Sequence, residues 1–451
     1  MTTAFFLNRS GISCTLVEKS HRLGGLIRTD NIQDCQLEAG PDSFIATKPS
    51  VVELARELDG LDDHIIGSND QQRRVYIVKH DRLLQMPQGM SMMVPGNMKA
   101  ALESPLFSSQ TKFRFLTEIF SPRRHREEDI SVQQLISDHF GYEVLEYVAE
   151  PLLSGVYGGD SAQLSAESVL PRFMGYERTY GSLIRGVRRD PRSPRQSGSL
   201  FLAFRSGMQT LTDVLSAAIS GSVHVIHQEA SSVEPAPSGW RVKCGSQQFE
   251  AKQLVLAVPA YVAATLLAPS APELASELEA IPYSSAILVT VVFNKNEVRI
   301  PEGFGLLVPH RERKTIAAIT FVGSKWPSRI PSQLMALRAF IVDPEAPRLL
   351  PAETEDLVQL VCADLKRLLN ITAQPLFSTT ERWPYSMPQY VVGHQARQER
   401  IVRRLSELRG LHLTGNAYDG VGVPDCVRRA KETAKNIAAS MQRGTPSALP
   451  I

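Results

Sequence analysis

Cysteine is scarce in this 451-residue chain, and what there is does not pair. The five cysteines are scattered along the sequence without a C-x-x-C motif: Cys14, Cys35, Cys244, Cys362 and Cys426. This pattern argues against a disulfide framework and against a zinc site, and it favours a reduced cytosolic protein. His224 and His227 lie three residues apart, but in a strand their side chains would point to opposite faces. We therefore predict no metal site.

Long apolar runs are also absent. A membrane-spanning helix needs about 18 apolar residues, whereas the best candidate, LVLAVPAYVAATLLA at residues 254–268, is shorter and contains Pro259. The basic segment and cleavage site of a secretory signal are missing too. These absences predict a cytoplasmic protein.

No single sign of charge dominates. The formal net charge is +2 and the pI is near 8.2, so the balance predicts no nucleic-acid partner. Hydrophobic residues make up 43% of the chain, enough for a large core spread over two or three domains. Nothing in the sequence fixes the oligomeric state.

The first 90 residues read as short alternating elements. TAFFLNRSG reads as the last turns of a helix ended by Gly11, and residues 12–18 read as a β-branched strand ending in Glu18. Residues 26–38 indicate an extended pair. A helix follows from Pro49 to Leu58, and residues 75–87 predict a hairpin turning at His80 and Asp81.

The remainder changes character twice. Residues 88 to about 200 are helical, with Ser131 and Gln134 forming a capping box. A helix begins near residue 207, and VHVI, SSVEP, WRVKC and QFEAK then predict a meander. Residues 284–345 are strand-rich, a helix spans about 353–369, and the strand LHLTG leads into a glycine loop and a closing helix.

We therefore predict an α/β fold. A discontinuous Rossmann-like dinucleotide domain is combined with a mixed-sheet substrate domain and a helical insertion. The predicted dinucleotide domain comprises residues 1–72, 204–260 and 396–451. The predicted substrate domain comprises residues 73–87 and 261–395, and the helical insertion comprises residues 88–203.

Two glycine-rich stretches at opposite ends of the chain contain the candidate dinucleotide-binding residues. Glu18 ends a strand, where a carboxylate can accept hydrogen bonds from ribose hydroxyls; an ordinary exposed glutamate is the alternative. Gly24 and Gly25 let a backbone approach a pyrophosphate, and Arg22 can add a charge-assisted contact. In LEAGPDSF at 37–44, the turn at Gly40 and Pro41 can lie along a flat ring, but taken alone this stretch is better explained as an ordinary loop.

The C-terminal stretch GNAYDGVGVPDC is a more specific indication of a cofactor site. Gly420 and Gly422 bare the backbone, and Pro424 fits the first position of a helix. The positive end of that helix would stabilise negative charge, such as the charge on a reduced flavin. A helix that merely docks on the core is the alternative.

These stretches resemble the flavin-dependent porphyrinogen oxidases of haem biosynthesis, within the amine-oxidase-like FAD superfamily. The resemblance covers nearly the whole chain, and YGSLIRG, MPQYVVGH and GNAYDGVGVPDC are its narrower motifs. The implied cofactor-binding positions, from ribose to flavin ring, are Glu18, Lys19, Arg22, Gly24, Gly25, Leu26, Gly40, Pro41, Asp42, Ser43, Ala230, Trp383, Asn416, Val421, Gly422 and Val423. The implied substrate-binding positions are Phe304, Gly305 and Leu307.

The resemblance has departures. Some relatives carry arginines where Asp42 and Ser91 stand here, which implies a different recognition of substrate carboxylates. The family also begins with a strand and G-x-G-x-x-G ahead of TAFFLNRSG, and the given sequence starts after them. Because the other motifs are intact, we expect a late start site rather than a chain that binds FAD poorly.

The implied reaction removes six hydrogens from protoporphyrinogen IX or coproporphyrinogen III in three two-electron steps, with FAD as cofactor and molecular oxygen as acceptor. We assign no catalytic side chain, since the cofactor carries the hard step. A ferrochelatase is a candidate partner. The alternatives are an amine oxidase, for which Trp383 and Tyr418 would form a partial aromatic cage, a carotenoid desaturase, and a flavin-less porphyrin-binding remnant.

The helical insertion raises a separate expectation. It is rich in methionine, which suits large apolar ligands, and it carries basic clusters at Arg123, Arg124, Arg126, Arg185, Arg188, Arg189, Arg192 and Arg195. A solvated charged face is the simpler interpretation. The resemblance instead implies peripheral contact with the inner face of a membrane, where each basic group contributes about 1 kcal/mol.

Overall fold

The structure is a computed structural model that describes residues 1–190 and 198–442. In chain order, the first elements are α1 (Thr2–Arg9), β1 (Thr15–Glu18), β2 (Thr29–Ile32), β3 (Cys35–Glu38), β4 (Phe44–Ile45), α2 (Ser50–Glu57), β5 (Ile65–Gly67), β6 (Val75–Lys79), β7 (Arg82–Gln85), β8 (Met90–Ser91) and β9 (Val94–Pro95). The helical segment that follows contains α3 (Met98–Glu103), α4 (Ser109–Glu118), α5 (Val132–Phe140), α6 (Tyr142–Val144), α7 (Glu150–Tyr157), α8 (Ala166–Val169), α9 (Pro171–Tyr180) and α10 (Leu183–Arg189).

The second half of the chain is richer in strands. Its first elements are β10 (Phe201–Phe204), α11 (Gln209–Ile219), β11 (His224–His227), β12 (Ala230–Ala236), β13 (Gly239–Cys244), β14 (Gln247–Ala251), β15 (Leu254–Leu256), α12 (Ala260–Leu267), α13 (Pro272–Glu279) and β16 (Tyr283–Asn294). The last are β17 (Gly305–Leu307), β18 (Ala318–Phe321), α14 (Val322–Lys325), β19 (Leu334–Val342), α15 (Glu345–Leu349), α16 (Thr354–Leu369), β20 (Phe377–Pro388), α17 (His394–Glu407), β21 (Leu411–Leu413) and α18 (Val423–Gln442).

Two parallel strand pairs join distant parts of the sequence. β1 runs parallel to β11, with Thr15 opposite His224, and β15 runs parallel to β21, with Leu254 opposite Leu411. VHVI is thus β11, and the prediction that it opens a meander is wrong. The antiparallel meander consists of β12, β13 and β14 alone. A short β-rich segment shows its period in the sequence, but the partner strand is chosen by tertiary packing.

A seven-stranded mixed sheet forms a second unit, in the order β20-β16-β19-β18-β17-β6-β7. β6 and β7 are the hairpin predicted at residues 75–87, and their turn residues His80 and Asp81 both have positive φ angles, 53° and 57°. α16 covers one face of the sheet because Leu357, Val361 and Leu365 recur every fourth residue and are all buried.

The helical segment has its own apolar core. Phe115 lies at its centre, with its ring 5.0 Å from that of Phe107 and 5.8 Å from that of Phe140. The Ser131 hydroxyl accepts a hydrogen bond from the Gln134 N–H at 3.1 Å, so the predicted cap at the start of α5 forms.

The predicted basic clusters are only partly on the surface. Arg126 forms an ion pair with the fully buried Glu177, and Arg185 donates to the backbone carbonyls of Ser121 and Tyr180. These two arginines therefore stabilise the interior and were wrongly grouped with Arg123, Arg188 and Arg189, which are exposed. The arginines at positions 192 and 195 lie outside the described residues. No helix within residues 1–190 and 198–442 has the length and apolarity needed to cross a bilayer.

Candidate functional site

One cavity of about 3180 Å³ is lined by both ends of the chain. β1 with the loop after it, up to Ile27, contributes one wall, and the segment that follows β21, from Thr414 to Val427, contributes another. Glu18 and Val421, which are 403 positions apart in the sequence, face this same space. The predicted meeting of the two glycine-rich stretches therefore occurs.

The wall formed by β1 ends at a carboxylate. Glu18 Oε1 accepts a hydrogen bond from the Ser20 N–H at 2.9 Å, which holds the side chain at the strand end. The Arg22 guanidinium, by contrast, folds back on its own loop and donates to the carbonyls of Leu23, Gly25 and Ile27. In this arrangement Arg22 shapes the glycine turn.

The two glycines of that turn differ in their surroundings. Gly24 has a φ of +111°, and a Cβ there would lie 2.9 Å from Thr212 on α11. Gly25 has a φ of +56°, and a Cβ there would meet nothing within 4 Å. Gly24 therefore permits close packing on the helix, whereas Gly25 leaves open space along the cavity wall.

A buried group of charges supports the loop at Gly40–Ser43. Lys325 Nζ lies 2.8 Å from Asp42 Oδ2 and 3.2 Å from Ser43 Oγ, and Arg338 donates to the Gly40 carbonyl. Burial alone would raise the pKa of Asp42, but Lys325 and Arg338 outweigh it and hold this pKa below its usual range. The loop is thus rigidly held against the cavity.

Trp383 closes the space beside this loop. Its Nε1–H donates to the Ala39 carbonyl at 2.7 Å, which ties β20 to the residue before Gly40. A Cβ on Gly40 would overlap the carbonyl oxygen of Leu26. The Gly40 position therefore needs glycine because two backbone segments touch there.

The C-terminal loop is bounded by glycines and ends in a helix. Gly415 and Gly420 have φ angles of +123° and +100°, and a Cβ on Gly415 would meet nothing within 4 Å. α18 starts at Val423, so Pro424 occupies its second position, one later than predicted. The start of α18 lines the cavity and brings its positive dipole end there.

An ion pair sits at this helix start. Asp425 lies in the first turn of α18, and Lys48 Nζ approaches its carboxylate oxygens at 2.7 and 2.8 Å. The Gly422 N–H also donates to Asp425 Oδ2 at 3.3 Å. Acidic residues favour the first turn of a helix, so the sequence held this signal, but the partner Lys48, 377 residues away, could not be read from it.

The other side of the cavity is largely apolar. Phe304 and Leu307 line it, together with Met86, Met90 and Leu152. Gly305 does not line it. That residue lies in β17, and a Cβ there would overlap the carbonyl oxygen of Ile319 on β18. Gly305 therefore has a role in strand packing, and its contact with a substrate stays a prediction.

Most of the predicted site residues face the cavity. Those that line it are Glu18, Lys19, Arg22, Gly24, Gly25, Leu26, Gly40, Pro41, Asp42, Ser43, Ala230, Phe304, Leu307, Trp383, Asn416, Val421, Gly422 and Val423. Sequence reasoning missed other lining residues whose side chains have specific partners, among them Lys48, Lys325, Tyr390 and His394. Tyr390 and His394 fall within MPQYVVGH, so the motif marked them without giving their role.

The residues present fit the flavin dinucleotide that the resemblance implies. A strand-end carboxylate, open glycine backbone at Gly25 and Gly415, and a helix start all face one space. Ligand pockets for a single drug-sized molecule are typically about 300–1,000 Å³, so this cavity is large enough for a dinucleotide and a second large molecule. No cluster of His, Cys, Asp or Glu side chains suited to a metal ion occurs among the described residues.

Comparisons with known proteins agree with this geometry. A family profile described as flavin-containing amine oxidoreductase matches residues 1–438. Coproporphyrinogen III oxidase of Bacillus subtilis strain 168 is 29% identical over 437 residues, covering 93% of this chain and 90% of that protein. The chloroplastic protoporphyrinogen oxidase of Nicotiana tabacum is 27% identical, covering 95% of this chain and 81% of that protein.

A solved structure matches the whole fold as well. It is the crystal structure of a protein from Exiguobacterium sp. 255-15 whose name includes the words protoporphyrinogen oxidase. The TM-score is 0.87 at 28% identity, and the match covers 97% of this chain and 96% of that one.

Proposed function

The chain belongs to the flavin-containing amine oxidoreductase family, and on that premise we propose that it is an FAD-dependent porphyrinogen oxidase of haem biosynthesis. The substrate class is a porphyrinogen, coproporphyrinogen III or protoporphyrinogen IX, as the names of its relatives indicate. Three two-electron oxidations remove six hydrogens and give the porphyrin. Molecular oxygen is the acceptor, and each oxygen molecule leaves as hydrogen peroxide.

The observation that carries the proposal is the division of one cavity into two faces. The first face consists of bare backbone, strand ends and the positive end of α18; the second is apolar and includes Phe304 and Leu307. A porphyrinogen is a large, apolar macrocycle with carboxylates at its rim. A cavity of about 3180 Å³ accommodates such a ring beside a dinucleotide.

Bound FAD supplies the acceptor of two electrons. The Glu18 carboxylate would accept hydrogen bonds from its ribose, and the open backbone at Gly25 would make room for its pyrophosphate. The amides at the start of α18 would stabilise negative charge on the cofactor. Phe304 and Leu307 hold the macrocycle and exclude water from the reacting face.

Porphyrin fluorescence provides the test. FAD-loaded protein is mixed with coproporphyrinogen III or protoporphyrinogen IX under air, and the emission of the porphyrin is followed alongside hydrogen peroxide. We expect three molecules of peroxide for each porphyrin formed, and Leu307→Arg should abolish the signal while FAD remains bound. The ratio of kcat/KM for the two porphyrinogens identifies the preferred substrate.

The alternatives give different results in the same experiment. Oxidation of an amine or a carotenoid precursor, with no porphyrin formed, would make the chain another member of the superfamily. A colourless protein that binds porphyrin without releasing peroxide would make it a carrier. Either result would overturn the proposed oxidase.

We also propose that the helical segment binds an anionic membrane surface. On α4 and just after it, Phe113, Leu116 and Phe120 recur at helical spacing, and 66% of Phe113 and 83% of Phe120 is exposed. Arg123 lies close by in the sequence and is exposed. An apolar ridge beside basic groups suits insertion between anionic headgroups.

Vesicle flotation tests this contact. We expect the protein to float with phosphatidylglycerol vesicles, less so at high salt, and not with phosphatidylcholine vesicles. Phe120→Ser should weaken flotation. Leu376→Ser, which changes an exposed apolar residue before β20, is the matched control and should have no effect. Absent or salt-independent binding would contradict the proposal.

A further inference from the structure

The hydroxyl of Tyr390 closes the loop that leads into α18. Tyr390 Oη donates to the Asn416 carbonyl at 2.6 Å, and the same hydroxyl oxygen of Tyr390 accepts a hydrogen bond from the Gly420 N–H at 2.9 Å. These two backbone groups lie at opposite ends of the loop. One side-chain oxygen thus fixes the span of five residues that precedes the start of the helix.

Two glycines give this loop many accessible backbone conformations, so hydrogen bonds to a fixed side chain are needed to clamp it in one of them. Gly415 stands just before it with a φ of +123°, and Gly420 ends it with a φ of +100°. Glycine loses more conformational entropy on ordering than other residues. The two hydrogen bonds to Tyr390 offset part of that loss and keep the loop in one conformation before any ligand arrives.

Tyr390 is itself immobilised. Its ring stacks on the His394 ring with centroids 4.1 Å apart and planes inclined by 13°, and its carbonyl accepts a hydrogen bond from the Ser165 N–H at 2.8 Å. His394 Nε2 lies 3.1 Å from the Tyr418 carbonyl oxygen, so the stacked pair touches the loop at a third point. The anchor therefore joins the helical segment to the glycine loop.

The phenol also stays in its neutral form. Burial raises the pKa of Tyr390 far above its ordinary value. A neutral hydroxyl can both donate and accept, which is what the carbonyl of Asn416 and the N–H of Gly420 require. A phenylalanine at this position would keep the stacking on His394 but leave both backbone groups without this partner.

We propose that Tyr390 is the positioning residue that holds loop 416–420, and with it the start of α18, against the flavin ring. The inference rests on the proposed function, since it takes the flavin to lie in this cavity. Asn416, the first residue of the clamped span, and Val421–Val423, which follow it, all line the cavity. A loose loop would have to be ordered by the cofactor, and it would place the positive helix end less closely.

Tyr390→Phe tests the clamp, and Tyr418→Phe is its matched control. Tyr418 lies in the same loop and is equally buried, but its hydroxyl has no hydrogen-bond partner in the structure. Hydrogen exchange of the flavin-free proteins provides the first readout. We expect amides 416–422 to exchange at least tenfold faster in Tyr390→Phe than in the wild type, and at an unchanged rate in Tyr418→Phe.

The second readout uses the cofactor. In Tyr390→Phe the Kd for FAD should rise about tenfold, the order expected when two hydrogen bonds that pre-order a loop are lost. The midpoint potential of bound flavin should also fall.

The possible failures are distinguishable. Equal exchange rates in Tyr390→Phe and Tyr418→Phe would refute the clamp, whether or not flavin binds. Faster exchange with an unchanged FAD affinity and potential would refute its effect on the cofactor and leave the oxidase proposal intact. A wild-type protein that binds no FAD would overturn the proposed function and, with it, the role of Tyr390 toward flavin.

Discussion

The buried ion network of the helical segment should contribute measurably to the free energy of unfolding. Glu177 on α9 accepts hydrogen bonds from Arg126 Nε and Nη2, both at 2.8 Å, and lies 3.1 Å from His139 Nε2. Its side chain is 0% exposed. Burial would raise the pKa of Glu177, but Arg126 and His139 outweigh it and lower this pKa from 4.5 to about 2.

The magnitude follows from that shift. A fall of the Glu177 pKa from 4.5 to about 2 corresponds to roughly 3 kcal/mol, at about 1.4 kcal/mol per pH unit. Because the folded pKa is depressed, this stability is present above pH 4.5 and is lost as the pH falls toward 2. Glu177→Gln should therefore cost about 3 kcal/mol at pH 7, in keeping with other buried pairs that lose one partner.

Urea unfolding followed by circular dichroism at pH 7 and at pH 3 measures the effect. The control is Glu167→Gln, since Glu167 pairs with Arg178, the neighbour of Glu177 in the sequence, at 2.9 Å on the protein surface. An exposed pair contributes at most about 1 kcal/mol. The reasoning would be refuted if both variants lost the same amount, or if the deficit of Glu177→Gln did not shrink at pH 3.

Three further predictions concern the core, the histidine and the cavity. Phe115→Ala removes a fully buried ring between Phe107 and Phe140 and should lower the free energy of unfolding by about 3–5 kcal/mol; a loss below about 1 kcal/mol would mean that the helical core is loosely packed. The glutamates around His139 outweigh its burial and raise its pKa, so its contribution to stability should be complete below about pH 6.5 and decline as the pH rises through the folded value; in His139→Gln this decline should vanish, as pH-dependent unfolding would reveal. Gly25→Val places a side chain in open cavity space and should raise the Kd for FAD at least tenfold, measured by flavin fluorescence; Gly60→Val, which is also at positive φ with open space around it but lies outside the cavity lining, controls for backbone strain and should leave the Kd unchanged.

Local signals in the sequence predicted much of the fold. The hairpin of β6 and β7 follows from the polar pair His80 and Asp81 between two short apolar runs, and the α16 helix follows from its apolar period. The pairing of β11 with β1 could not be predicted in this way, because strand periodicity does not name a partner. The burial of Arg126 was missed for the same reason: its partners Asp138 and Glu177 lie 12 and 51 residues away.

The candidate site shows the same limit. Gly25 and Gly415 have no side chain and therefore expose their backbone in any fold. Their place in a cavity wall could for this reason be inferred from the sequence. The ion pairs Lys48–Asp425 and Lys325–Asp42 join positions 377 and 283 residues apart. Only the folded chain brings those charges together, and the hydroxyl of Tyr390 finds its two backbone partners in the same way.

The two ends of the chain build the cavity jointly. β1 carries Glu18, and α1 before it packs against α18 through Leu7, Ala434 and Ile437. Lys48, near the N-terminus, pairs with Asp425 at the start of the same closing helix. Each wall is therefore ordered by contacts with the other, so neither wall forms a binding surface without the rest of the fold. A cofactor that touches both walls binds the folded chain in preference to the unfolded one, and its binding free energy adds to the stability of the contacts between α1 and α18.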